Sequence, residues 1–141
     1  MPGVSSRRPD VELRVPADGA YVSVLRTATA GVAARLDFTL DDIEDLRMAV
    51  GEASALVLEG ARPDADLTAR FWLGTGELAV VVAADADEPT APDPEGFAWM
   101  VLTTLATDAR VATTDGRLEI TLVAAATPLE PLPGAQPGPA S

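Results

Sequence analysis

The sequence predicts an α/β two-layer sandwich: a five-stranded mixed or antiparallel sheet with three helices packed on one face. Three observations carry this. Residues 39–61 (TLDDIEDLRMAVGEASALVLEGA) form the longest helical pattern in the chain, with its own start and stop signals. The apolar runs after Pro63 come in pairs, each joined by a short turn containing glycine. The resulting order is strand, two helices, two strands, helix, two strands, which closes most simply as one sheet with a single helical layer.

Taken in order, MPGVSSRRP has no periodicity, and residues 1–10 read as a mobile arm. Val11–Val15 alternates apolar and polar residues, as a half-buried strand does. Pro16-Ala17-Asp18-Gly19 is turn chemistry, with Asp18 placed to cap a first helix over Ala20–Leu36. In the long helix, Thr39 is the expected N-cap, and Asp41, Asp42, Glu44 and Asp45 put negative charge at the positive end of the helix dipole. Ile43, Leu46, Val50, Ala53 and Val57 supply its apolar stripe, and Gly60 ends it. Leu67–Leu73 and Leu78–Ala84 form a hairpin around Gly74–Glu77, the second strand being apolar enough to lie centrally.

Residues 85–95 (DADEPTAPDPE) hold three prolines and five acidic residues, so they form a loop. Gly96–Thr107 reads as a third, well-buried helix. Asp108–Thr113 and Leu118–Val123 make a last hairpin on Asp115-Gly116. The domain is expected over 11–125, followed by a Pro-rich disordered tail over 126–141.

Composition excludes whole classes of chemistry. The 141 residues are 48% hydrophobic and 23% charged, as in a globular chain, and carry a formal charge of −12 that repels nucleic-acid backbones. There is no Cys and no His, which removes disulfides, thiolate chemistry and the commonest zinc ligands. All ten basic residues are Arg, so no lysine can serve a phosphate loop or a Schiff base. No metal site is expected. No apolar run approaches the ~20 residues of a membrane span, and a cytoplasmic location is the expectation.

VELRVPAD, LDFTLDDIEDLRMAVGEA and EGFAWMVLTTLATDARV, in this order and over about residues 11–125, resemble the anti-sigma factors of the histidine-kinase-like (GHKL) ATPase superfamily. Many of those proteins are also serine kinases. The resemblance implies a nucleotide site in which a helical Glu-Ala-x-x-Asn supplies a catalytic glutamate and a magnesium ligand. Here Glu52-Ala53 match, but Leu56 stands at the asparagine position, and leucine has no oxygen for a hard cation. The Asp-x-Gly-x-Gly motif that reads adenine and admits the nucleotide survives as Asp85, with Asp87 and Pro89 at the glycine positions. The lid motif is reduced to Gly96, preceded by Pro94 and Glu95. The resemblance also places a partner-binding arginine at Arg26, whose fixed donor fork suits carboxylates.

Glu52 is thus the candidate catalytic residue, and Asp85 and Gly96 are the candidate cofactor contacts. Their simpler readings are a solvated helix-flank carboxylate, a loop start and a helix-start glycine, and Arg26 could be an ordinary surface arginine. Leu56 is expected to fill the former nucleotide cleft. No resident cofactor is expected, MgATP being the group that intact motifs would bind.

The implied function is sequestration of a stress-response or sporulation-type sigma factor, with release by an anti-anti-sigma protein. The chain would act as a homodimer, without kinase activity and without contacting nucleic acid or membrane. The alternative is an active serine/threonine kinase acting on its antagonist, and a third class is a dimerisation or scaffold module.

Overall fold

The computed structural model describes residues 7–127. The first six residues of the expected arm, and the tail from residue 128, lie outside the described residues. The elements are β1 (Val11–Pro16), a 3-10 turn (Gly19–Tyr21), α1 (Val22–Ala33), α2 (Leu40–Glu59), β2 (Asp66–Gly74), β3 (Glu77–Asp85), α3 (Phe97–Leu105), β4 (Asp108–Thr114) and β5 (Arg117–Ala125). They form one sheet in the order β1-β2-β3-β5-β4, and every neighbouring pair is antiparallel. The expected sandwich is therefore present, in its fully antiparallel form.

β3 lies at the centre, as its apolar run predicts. Its alternate residues Leu78, Val80, Val82 and Ala84 face the helices and are buried. Their partners in register are Leu73, Phe71, Ala69 and Leu67 on β2, and Ala124, Leu122, Ile120 and Leu118 on β5. Leu25, Leu46, Val50 and Val57 of α1 and α2 close this core from above. The opposite parity of β3 is also buried, without a helical layer. Ala79 and Val81 are covered there by Trp72 and Val123, and the Arg70 guanidinium lies 5.8 Å over the Trp72 ring. Both hairpins turn on glycine in the left-handed region, Gly76 at φ 65° and Gly116 at φ 72°.

Three local expectations are corrected. The first helix begins as the 3-10 turn, where Ala20 N–H donates to Asp18 Oδ1 at 2.9 Å, and its α-helical part ends at Ala33 rather than Leu36. Residues 7–10 of the expected arm are tied to β2. Asp10 N–H donates to Phe71 O, Leu73 N–H donates to Asp10 Oδ2 at 2.7 Å, and Trp72 Nε1 donates to Arg7 O at 2.8 Å. Each of those bonds joins a backbone group to a partner more than 60 residues away, which a sequence without periodicity does not announce. Lastly, α3 is not a well-buried helix. Only Leu102 is fully buried, and Phe97 is 78% exposed. Nine residues resting across α2, with no layer above them, can bury one face only.

α2 is pinned at its start. The Asp42 carboxylate accepts from Thr39 N–H at 3.1 Å, while Asp42 N–H donates to Thr39 Oγ1 at 3.0 Å, a reciprocal capping box. The same carboxylate accepts from Thr127 N–H at 3.0 Å and from Thr127 Oγ1 at 2.7 Å, joining the end of β5 to the start of α2. Burial pushes the Asp42 carboxyl up, but the bonds from Thr127 and Thr39 outweigh it and hold its pKa below the ordinary value. A depressed folded pKa contributes stability above the unfolded carboxyl range, lost as pH falls through the folded value. Asp42→Asn is therefore expected to cost about 1 kcal/mol at pH 7. In urea unfolding the gap between variant and parent should narrow as pH falls through the lowered carboxyl value of the folded state; an equal gap at neutral and strongly acid pH would refute the charged hub.

Candidate functional site

The last turn of α2 is sewn to the end of β3. Arg62 N–H donates to Asp85 O at 2.9 Å, and Ala61 bridges Ala86. The acidic loop then folds back over the helix end. Asp93 closes it, its Oδ1 accepting from Glu95 N–H and its carbonyl from Gly96 N–H, both at 2.9 Å. Between loop and helix lies a cavity of about 370 Å³. Leu56, Ala86, Pro89, Pro92 and Leu118 line its apolar side, and Glu59, Glu88 and Asp93 are the charged groups around it.

Leu56 stands at this cavity as expected, but it forms a wall packed against the core rather than a plug. The lining does not fit MgATP. Among the described residues that line it, none is positively charged, and Leu56 offers no metal ligand. Glu59, Glu88 and Asp93 are exposed and screened by solvent, but all three carry the sign of a phosphate, so they add repulsion and supply no counter-charge. The nearby Arg62 is engaged by Asp64 at 3.5 Å and Asp87 at 3.7 Å.

Glu52 and Arg26 share a different space, a groove of about 520 Å³ on the outer side of α1 and α2 that also reaches Val101 of α3. Arg26 lies across Gly51. A Cβ added to Gly51 would sit 3.0 Å from Arg26 Nη1 and 3.3 Å from its Cδ, so the glycine makes room for the guanidinium. Glu44 and Arg47, 2.9 Å apart, border the same groove.

Asp85 and Gly96 are not brought to Glu52. Asp85 belongs to the parity of β3 that faces away from the helices. Its Oδ1 accepts from Arg117 Nη1 at 3.1 Å, in a cluster where Arg117 Nε and Arg70 Nη2 both reach Glu119 Oε2. Gly96 caps α3, where its carbonyl accepts from Met100 N–H, and a side chain there would collide with Asp93 O at 3.2 Å. The expected catalytic and cofactor residues thus occupy three separate places.

Two participants escaped sequence reasoning. Gly51 sits in the middle of α2, where alanine is the better helix former, and the close approach of Arg26 accounts for it. Arg117 follows the Asp115-Gly116 turn, which sets the β4/β5 register alone; its place opposite Asp85 comes from the pairing of β5 with the distant β3, for which the sequence has no local signal. Gly51→Ala should raise helix stability by up to about 1 kcal/mol, because alanine is the better helix former. It should also displace Arg26, visible as a shift of the Arg26 Nε–H resonance together with an unchanged or higher Tm. An unmoved resonance would mean that the close approach is not real.

Residues 15–124 match the family described as the histidine kinase-like ATPase domain. The chain is 38% identical over 80 residues to Serine-protein kinase RsbW of Bacillus velezensis, covering 55% of this chain and 50% of that one. Its similarity to Serine-protein kinase RsbW of Bacillus subtilis is 36% over 80 residues, with the same coverage of 55% and 50%. The chain thus spans about half the length of the curated relatives it matches. Among solved structures, the RsbU and RsbW domains of Rv1364c from Mycobacterium tuberculosis align with a TM-score of 0.63 at 17% identity, over 82% of this chain and 31% of that one. The histidine kinase domain of the blue-light activated histidine kinase EL346 from Erythrobacter litoralis gives 0.54 at 16% identity, over 87% and 66%. At such identities the two structures speak to the fold, and they agree with the five-stranded sheet and its helical layer. With the family match extending from β1 to β5, the chain belongs to the histidine kinase-like ATPase domain family.

Proposed function

We propose that this chain is a cytoplasmic, homodimeric anti-sigma factor that acts by contact alone. In this reading it holds a stress-response or sporulation-type sigma factor away from RNA polymerase, and an anti-anti-sigma protein releases it by competing for the same surface. The domain that does so is the 11–125 unit. The similarity to proteins named Serine-protein kinase RsbW supports the regulatory class over half the chain.

The observation that carries the contact-only reading is the lining of the cavity beside Leu56. Its three carboxylates and leucine wall supply neither a magnesium ligand set nor a phosphate counter-charge. Arg26, by contrast, is held in place over Gly51 and makes no ion pair among the described residues. Its five-donor guanidinium suits a carboxylate on a protein partner. The kinase alternative rests on the activity in the name of those relatives, serine-protein kinase, and on Glu52, which is exposed and lies in the groove rather than at the cavity.

Two measurements on the same preparation test this reading. Calorimetric titration with MgATP is expected to give no binding heat at millimolar nucleotide. Transcription reconstituted with the sigma factors of the same genome is expected to be inhibited with or without ATP. Transfer of labelled phosphate to an antagonist protein would overturn the contact-only reading, and failure to inhibit any of those sigma factors would overturn the anti-sigma reading.

A further inference from the structure

A seam runs along α2 beside α3, and its centre is apolar. Met48, Phe97 and Met100 are 54%, 78% and 53% exposed. With Val101, Thr104 and Leu105 they border a hollow of about 240 Å³. Met48 and Val101 also line the groove that holds Arg26, so the two spaces adjoin. Thr104 and Leu105 continue it the other way, into a notch beside Asp42 and Asp45 at the start of α2. Contiguous exposure of large apolar side chains marks an interaction surface.

The two ends of the seam differ in charge. At one end Arg26 and Arg47 stand with Glu44 and Glu52, and Arg47 is paired with Glu44 at 2.9 Å. Arg26 makes no ion pair among the described residues, so its guanidinium is the donor left for a partner. At the other end the charged groups are carboxylates, Asp42 and Asp45. Asp42 is already occupied by Thr39 and Thr127, which leaves Asp45 for a partner. An occupant that satisfies both ends must present an acceptor to Arg26, an apolar middle, and a cation to Asp45.

We infer that this seam takes a short amphipathic helix of a partner protein, lying antiparallel to α2. A helix favours acidic residues in its first turn and basic residues in its last. The acceptor at Arg26 therefore belongs to the N-terminal end of the occupant, and the cation at Asp45 to its C-terminal end. From Asp45 to Gly51, beneath Arg26, α2 rises about 9 Å, so two to three turns suffice to span both ends. Apolar residues at i, i+3 or i+4, and i+7 would meet Met48, Phe97 and Met100. This deepens the binding reading above, and rests on it only in that Arg26 faces a partner. What it adds is the α2/α3 seat and the direction in which the partner lies.

The test uses two fluorescent 15-residue peptides of identical composition. Both carry leucines at helical spacing; one has Glu in its first turn and Lys in its last, and the other has these exchanged. Because their net charge is equal, general attraction to a chain of charge −12 cannot separate them. By anisotropy on the full chain, the acid-first peptide is expected to bind at least 10-fold more tightly. Met48→Ser combined with Met100→Ser should abolish binding while leaving the far-ultraviolet dichroism unchanged. Arg26→Glu combined with Asp45→Lys should invert the preference.

Equal affinity for the two peptides, or a preference untouched by these substitutions, would overturn the inference. So would a sedimentation result in which the methionine variants convert a dimer into a monomer, since a second copy would then cover the seam. Loss of sigma-factor inhibition with the peptide preference intact would count against the anti-sigma reading alone.

Discussion

The register of β3 between β2 and β5 governs where every functional side chain can go. Successive residues on a strand point to opposite faces, so a shift of one residue would exchange the two faces. With Val80 opposite Phe71 and Leu122, the large residues of three strands meet under α2. The same parity sends Asp85 to the far face, opposite Arg117, and leaves Ala86 to line the cavity beside Leu56. The helical layer then has no freedom to bring Asp85 to Glu52, because moving one would unseat the core.

α2 sits on this sheet with both ends held. Asp42 joins its first turn to Thr127 after β5, and the Ala61–Ala86 bridge joins its exit to the chain after β3. Its faces are consequently specialised. The buried stripe of Leu46, Val50, Ala53 and Val57 makes the core. Leu56 and Glu59 meet the acidic loop in a cavity whose electrostatics disfavour a nucleotide. Met48, Gly51 and Glu52 face outward, toward Arg26 and α3. Binding another protein and transferring a phosphoryl group make different demands on this helix. The first needs an exposed apolar seat with charge at its ends, and the second needs a cation and its ligands beside the phosphates. Residues suited to the first demand are present, whereas the cavity lining runs against the second.

How far each feature could be read in advance follows from how local its cause is. Thr39 as N-cap, Gly60 at the helix end, and turns at Gly76 and Gly116 depend on a few consecutive residues, and they stand where expected. The strand order and the pairing of residues 7–10 with β2 depend on backbone hydrogen bonds between distant segments, for which side-chain patterning is a weak guide. The burial of α3 was overestimated because a run such as GFAWMVLTTLAT reports hydrophobicity without reporting how much surface is available to cover it. The role of Gly51 has no local signal and shows only where Arg26 lies against it.

By itself, then, the sequence determined the element order, the caps, the family resemblance and the presence of a leucine, Leu56, where that resemblance implies an asparagine. Those follow from residue types and short spacings, and no later folding step alters them. Only the tertiary structure decided that Glu52, Asp85 and Gly96 lie in three separate places, and that Arg26 shares a groove with Glu52. Proximity between residues tens of positions apart is set by strand parity and helix packing, which emerge when the whole core closes at once.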